Sequence, residues 1–106
     1  MEKLIDGKLY STDSAELIAE TYPNGTRDRS DFRFLREQLY VTDNGAYFIA
    51  AKGGPKTKYS QPAATGGTTG GEEIRALPKQ DAFEWCQRHD EVDAAREHFS
   101  QHIEPA

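Results

Sequence analysis

Residues 3–10, KLIDGKLY, place two short apolar runs on either side of Asp6-Gly7. Glycine tolerates positive φ, so this pattern predicts a tight hairpin of two short strands. In the next segment, STDSAELIAETY, Thr12 or Asp13 can cap a helix and Glu16 follows Asp13 by three residues. Ala15, Ile18 and Tyr22 then share a helical stripe, which predicts a short amphipathic helix ended by Pro23. Residues 23–31, PNGTRDRSD, mix turn formers with alternating charge and read as an exposed loop. The strongest pattern is FRFLREQLYVTDNGAYFIAA, two β-prone runs around Asp43-Asn44-Gly45, in which Asn and Gly are expected to supply the left-handed conformations of a hairpin turn.

That long hairpin presents large apolar groups on both faces. Leu39 and Val41 alternate with Tyr40, and Phe48 and Ile49 also fall on opposite sides. One helical layer cannot cover both, so either helices flank the sheet on each side or one face meets a second subunit or a partner. Residues 53–71 hold six of the nine glycines together with Pro55 and Pro62, and read as a long flexible loop. EEIRAL, 72–77, follows as a strand. After Pro78, a helix carries Ala82, Trp85, Cys86 and His89 on one face, and a final helix over 91–103 aligns Val92, Ala95, Phe99 and Ile103. The expected fold is α+β, a small antiparallel sheet built around a long central hairpin with about three short helices.

The chain of 106 residues fits one domain with one core, and its eleven aromatic residues supply packing units that a disordered chain would lack. No apolar run reaches the length of about 18 residues that spans a bilayer, and the opening MEKLIDGKLY has no secretory pattern. A cytoplasmic location is expected. The single cysteine, Cys86, excludes an internal disulfide and suits a reducing compartment. Residues 1–26 carry five acids against two bases, 27–58 four against seven, and 59–106 nine against four. The net charge of −5 is unevenly spread along the chain, so a dipolar molecule is one expectation and ordinary solvated charge the other. An acidic total argues against nucleic acid as the first-choice partner, while the basic middle leaves a local contact open.

Candidate chemistry is sparse. Cys86, His89, His98 and His102 offer Cys-x2-His and His-x3-His spacings of a kind a zinc site could use. Cys86 and His89, however, lie on the stripe that Trp85 marks as core, and no metal or cofactor is expected. Gly53-Gly54-Pro55-Lys56-Thr57 lacks the GxxxxGK(S/T) spacing of a phosphate-binding loop. Glu72 and Glu73 point apart in a strand, and Cys86 has no obvious group to lower its thiol pKa, so no enzyme activity is expected. Acidic helix faces remain, with Asp81 and Glu84 on one helix and Asp93, Glu97 and Glu104 on and after the other. They suit the basic groove of a protein partner. Tyr40, Tyr47 and Phe48 on the sheet are the alternative contact surface, including for a homodimer.

Three stretches, DGKLYSTDSAELIAE, SDFRFLREQLYVTDNGAYFIAAKGGPKTKYS and GGEEIRALPKQDAFEWCQRHDE, cover most of the chain. They resemble a family of small uncharacterised proteins of bacterial plasmids and phages. Proteins of that size and setting include CRISPR-Cas inhibitors, so the resemblance implies an anti-CRISPR or related anti-defence role. It carries no catalytic motif onto this sequence.

Overall fold

The computed structural model describes residues 1–106. In chain order the elements are β1 (Glu2–Ile5), β2 (Lys8–Ser11), β3 (Glu16–Thr21), β4 (Leu35–Val41), β5 (Tyr47–Gly53), β6 (Gln61–Pro62), β7 (Thr68–Thr69), β8 (Gly71–Leu77), α1 (Lys79–Arg88) and α2 (Val92–His98), followed by a 3-10 turn at Ser100–His102. The main sheet is antiparallel with the order β3-β4-β5-β8. The α+β architecture holds, with two α-helices where about three were expected.

The two predicted hairpins form where turn chemistry places them. Asp6 and Gly7 take φ of 52° and 77°, as a two-residue turn requires. At the second hairpin only Gly45, φ 83°, is left-handed. Asn44 is not, because the connection closes through Gly45 N–H to the Thr42 carbonyl and Thr42 N–H to the Ala46 carbonyl, which needs one left-handed residue. From there β4 and β5 pair without interruption, from Val41 opposite Tyr47 to Leu35 opposite Gly53.

The expected first helix is instead the edge strand β3. Its apolar stripe is shared by LIA, a run that suits either period, and Pro23 limits the segment to a length at which an isolated helix is marginal. The free edge of β4 supplies backbone partners that a helix of that length would lack. Glu16 pairs with Val41 and Thr21 with Glu37, and a bulge between Leu17 and Ala19 sets Ile18 out of register. The Gly-rich stretch is also more organised than expected, since β6 and β7 pair within it and Tyr59 is buried. The last predicted helix breaks at Phe99 (φ −129°), which leaves Val92 and Ile103 substantially exposed while Ala94, Ala95 and Phe99 are buried.

Both faces of the sheet are closed within the chain, but by different devices. Both helices lie on one face, where Trp85, Cys86, Ala82 and Phe99 pack on Leu35, Leu39, Tyr47 and Ile49. The other face carries Tyr40, Phe48, Ala50 and Ile74, and the β1–β2 hairpin rather than a helix covers it with Tyr10 and Ile5. Tyr10 meets Phe48 edge-on at 5.6 Å, and Tyr40 stacks on Phe48 at 5.2 Å.

Phe48 is the hinge of that second core and is fully buried. Phe48→Ala is expected to destabilise the fold by about 3–5 kcal/mol in urea unfolding. A loss below about 1 kcal/mol would show that the hairpin does not rest on this ring.

Candidate functional site

A charged residue stands in the middle of the helix-side core. Glu37 has the strand parity of Leu35 and Leu39, so its side chain points at α1, and the residue is only 2% exposed. An unpaired carboxylate there would be prohibitive, and four side chains converge on it. Tyr59 O–H donates to Oε2 at 2.9 Å and Trp85 Nε1–H to Oε1 at 3.1 Å. Lys58 Nζ lies 3.1 Å from Oε2, and His89 Nε2 lies 3.7 Å from Oε1. The cluster joins β4, the Gly-rich loop and α1 at one carboxylate.

Burial alone would push the Glu37 carboxyl upward, but the hydrogen bonds from Trp85, Lys58 and Tyr59 outweigh it and hold its pKa below the ordinary 4.5. The Tyr59 phenol moves up through burial and its bond to the carboxylate. His89 moves below 6.5 because burial disfavours the imidazolium more than Glu37 favours it. Trp85 and Tyr59 each spend their one side-chain donor on the carboxylate, and the lysine is the group's only exposed member. The arrangement ties β4, the Gly-rich loop and α1 together through one buried side chain.

The acidic residues singled out in the sequence are all exposed, and the structure distributes them over three places. Asp81 and Glu84 lie on the solvent side of α1, opposite the buried Ala82, Trp85 and Cys86. Asp93 and Glu97, four residues apart, share the solvent side of α2. Glu104 sits on the rim of a hollow of about 470 Å³ between α1, α2 and the C-terminal turn. Asp90 and Glu91 add two more acids against the single cation Arg96, and Val92 and Ile103, 47% and 41% exposed, contribute apolar surface. Sequence reasoning missed this hollow because it depends on the break at Phe99. Residues 79–106 together carry seven acids against three Lys and Arg.

The aromatic alternative is corrected by the fold. Tyr40, Tyr47 and Phe48 are 9%, 8% and 0% exposed, enclosed by the chain's own hairpin and helices, and offer no free contact surface. The exposed aliphatic pair on this side of the molecule is instead Leu4 and Leu9, cross-strand partners on the outer face of β1–β2.

The Cys and His set is dispersed. Cys86 is buried, and burial, with Glu91 nearby, pushes its thiol up to about 11. His89 belongs to the Glu37 cluster, His102 stacks on Phe83, and His98 faces Glu97 at 3.9 Å. Glu16 joins Glu97 and His98, with ligand-type atoms all within 4.8 Å in a cluster whose two carboxylates are exposed. Glu72 pairs with Lys52 at 3.8 Å on the face that Glu73 does not share, as strand alternation requires.

Glu37→Ala orphans the Trp85 and Tyr59 donors and is expected to cost about 2–4 kcal/mol in chemical denaturation. Both shifted groups lie below their unfolded values, so each contribution is present at neutral pH and is lost on acidification. For His89 the loss begins as pH falls through about 6.5, and for Glu37 it begins near the ordinary carboxylate range. Thermal midpoints measured from pH 7 downward should therefore decline in two stages, and His89→Gln should abolish the first. Cys86 should resist a disulfide reagent at pH 8 in the folded chain and react on unfolding, and rapid native labelling would contradict its placement. Compared with protein-family models, with curated proteins and with solved structures, the chain matches none.

Proposed function

We propose that this chain is a non-enzymatic binding protein whose helical layer engages a basic protein surface. The observation that carries this reading is the acid-rimmed, partly apolar hollow beside α2. Apolar surface there gives a partner side chain something to bury, while Glu104, Asp90 and Glu91 favour a cationic neighbour. Asp93 and Glu97 extend the same sign along the outside of α2, and Asp81 and Glu84 along α1. Proteins that handle nucleic acid present basic grooves of the complementary kind.

Taken with the resemblance to plasmid and phage proteins, the partner is a subunit of a bacterial CRISPR-Cas or related defence effector in the host cytoplasm. The effect is inhibition by blocking nucleic-acid access or assembly. A second reading, a homodimeric interaction module, is favoured by one observation. Leu4 and Leu9 are 72% and 58% exposed side by side on the outer hairpin face, an aliphatic pair that a second copy could cover.

Tagged protein incubated with expressed effector complexes should retain an effector subunit at fixed stoichiometry. The triple variant Asp93→Lys, Glu97→Lys, Glu104→Lys should weaken retention at least tenfold and reduce its salt sensitivity, with circular dichroism unchanged because all three positions are exposed. Retention unaffected by this reversal would exclude the helical layer. A mass of two chains in light scattering that returns to one chain in Leu4→Asp would favour the second reading.

A further inference from the structure

The end of the sheet where β4 begins and β5 ends is chemically unlike the rest of the surface. Arg36 and Lys52 sit directly opposite one another on the face away from the helices. Like charges in that register oppose pairing, which makes the arrangement one that fold stability alone does not favour. Lys52 has a counter-ion only at 3.8 Å in Glu72, and the Arg36 Nε is buried without any acceptor. The loop between β3 and β4 adds Arg27, Arg29 and Arg33, with the Arg27 guanidinium 4.7 Å above the Tyr22 ring, and the turn after β5 adds Lys56.

Phe32 stands within this cationic group at 60% exposure, with Lys56 Nζ 6.0 Å from its ring centre. Hollows of about 280 Å³ and 370 Å³ flank the ring. Arg33 and Lys56 line the first, Arg29, Lys52 and the Gly53-Gly54 backbone line the second, and Asp31 borders both, so cations outnumber the one acid at each. The ring is displayed, since the backbone on either side of it is pinned. Lys56 N–H donates to the Phe32 carbonyl at 2.8 Å, and Gly54 N–H to the Phe34 carbonyl at 2.8 Å. Arg33 N–H donates to Asp31 Oδ1 at 2.8 Å, and Asn24 Nδ2 to the Arg33 carbonyl at 2.9 Å. At Gly54 a Cβ would lie 2.6 Å from the Phe32 carbonyl oxygen, so only glycine permits this approach. The two acids of the loop serve its turns, Asp28 accepting from Ser30 N–H and O–H and Asp31 from Arg33 N–H, and Asp31 Oδ1 also lies 3.7 Å from Arg33 Nε, an exposed pair whose guanidinium keeps donors free for a phosphate.

An exposed aromatic ring on a pinned backbone between cationic side chains matches one ligand chemistry closely, a planar base joined to phosphodiesters. We propose that this surface binds single-stranded nucleic acid, with a base stacked on Phe32 and phosphates on Arg29, Arg33, Lys52 and Lys56. A duplex keeps its bases away from such a ring. A long rigid duplex would also run against the acidic remainder of a chain whose net charge is −5, whereas a single strand can turn away from it. The site lies apart from the acidic helical layer and does not depend on that layer's partner.

The test is fluorescence anisotropy of a labelled oligothymidylate of about ten nucleotides with the full chain at low salt. Saturable binding that weakens as salt rises is expected. Phe32→Ala should weaken it about tenfold, as loss of one base stack does. Arg33→Gln with Lys56→Gln should lower the slope of log affinity against log salt by about 0.7 for each phosphate contact removed. Thermal midpoints of these variants should match the parent chain, because all three side chains are exposed, so a folding defect is separable from a binding defect. The proposal is overturned by absence of binding, by unchanged affinity in Phe32→Ala, or by equal competition from duplex DNA or polyglutamate. The last of these would identify a generic polyanion surface or an acidic peptide site. Effector capture by the helical layer is read in a separate assay, so either proposal can fail alone.

Discussion

The requirement to neutralise Glu37 organises the helix-side half of this protein. A carboxylate placed by strand parity among Leu35, Leu39 and Ile49 must draw donors to it or be protonated. Its donors come from a loop and a helix that are remote in sequence, and bringing them in fixes where both lie on the sheet. Trp85 supplies apolar bulk to the core and an N–H to the acid in one residue, which orients α1 about its axis. Tyr59 does the same for the Gly-rich loop. Together with the β6–β7 pairing and the backbone bonds from Gly54 and Lys56, the buried acid specifies the path of a loop with six glycines.

The two closures of the sheet divide the molecule chemically. On the helix side, packing against α1 and α2 leaves an outer layer rich in Asp and Glu. On the other side the β1–β2 hairpin covers Tyr40 and Phe48 but leaves the Arg36–Lys52 row beside the basic loop. Residues 27–58, the basic middle of the linear sequence, supply the basic loop and the ends of β4 and β5, while the acidic C-terminal third supplies the helical layer on the other face.

Local chemistry determined which parts of this arrangement were legible. Asp6-Gly7 and the turn before Gly45 encode their hairpins within a few residues, and β8 and α1 follow from short patterns next to Pro78. Segment 16–21 failed because LIA satisfies two periods, and only the vacant edge of β4, which the sequence does not display, decides between them. The acidic residues were correctly read as exposed, but their grouping was not, since Glu104 joins Asp90 and Glu91 only through the break at Phe99. Tyr40, Tyr47 and Phe48 were read as a contact surface because the hairpin that buries two of them was not expected to fold back over the sheet. Glu37 carries a sequence signal, a charge at core parity, but its partners at 58, 59, 85 and 89 are remote along the chain and have no local pattern that links them to it.

The connection from β5 to β8 has a kinetic consequence. Gly53 and Gly71 are paired neighbours in the sheet, yet the whole Gly-rich segment lies between them. Closing so flexible a loop costs chain entropy before any β8 contact forms, and that cost grows only slowly with length. The β4–β5 hairpin, joined by a tight turn, can assemble first and wait as a two-stranded template with one unfilled edge on each side. Docking of β8 then delivers α1 and Trp85 to Glu37 in the same event. The slow step of folding is expected to be this late loop closure, so a change of loop length should alter the rate at which the native state is reached far more than its depth.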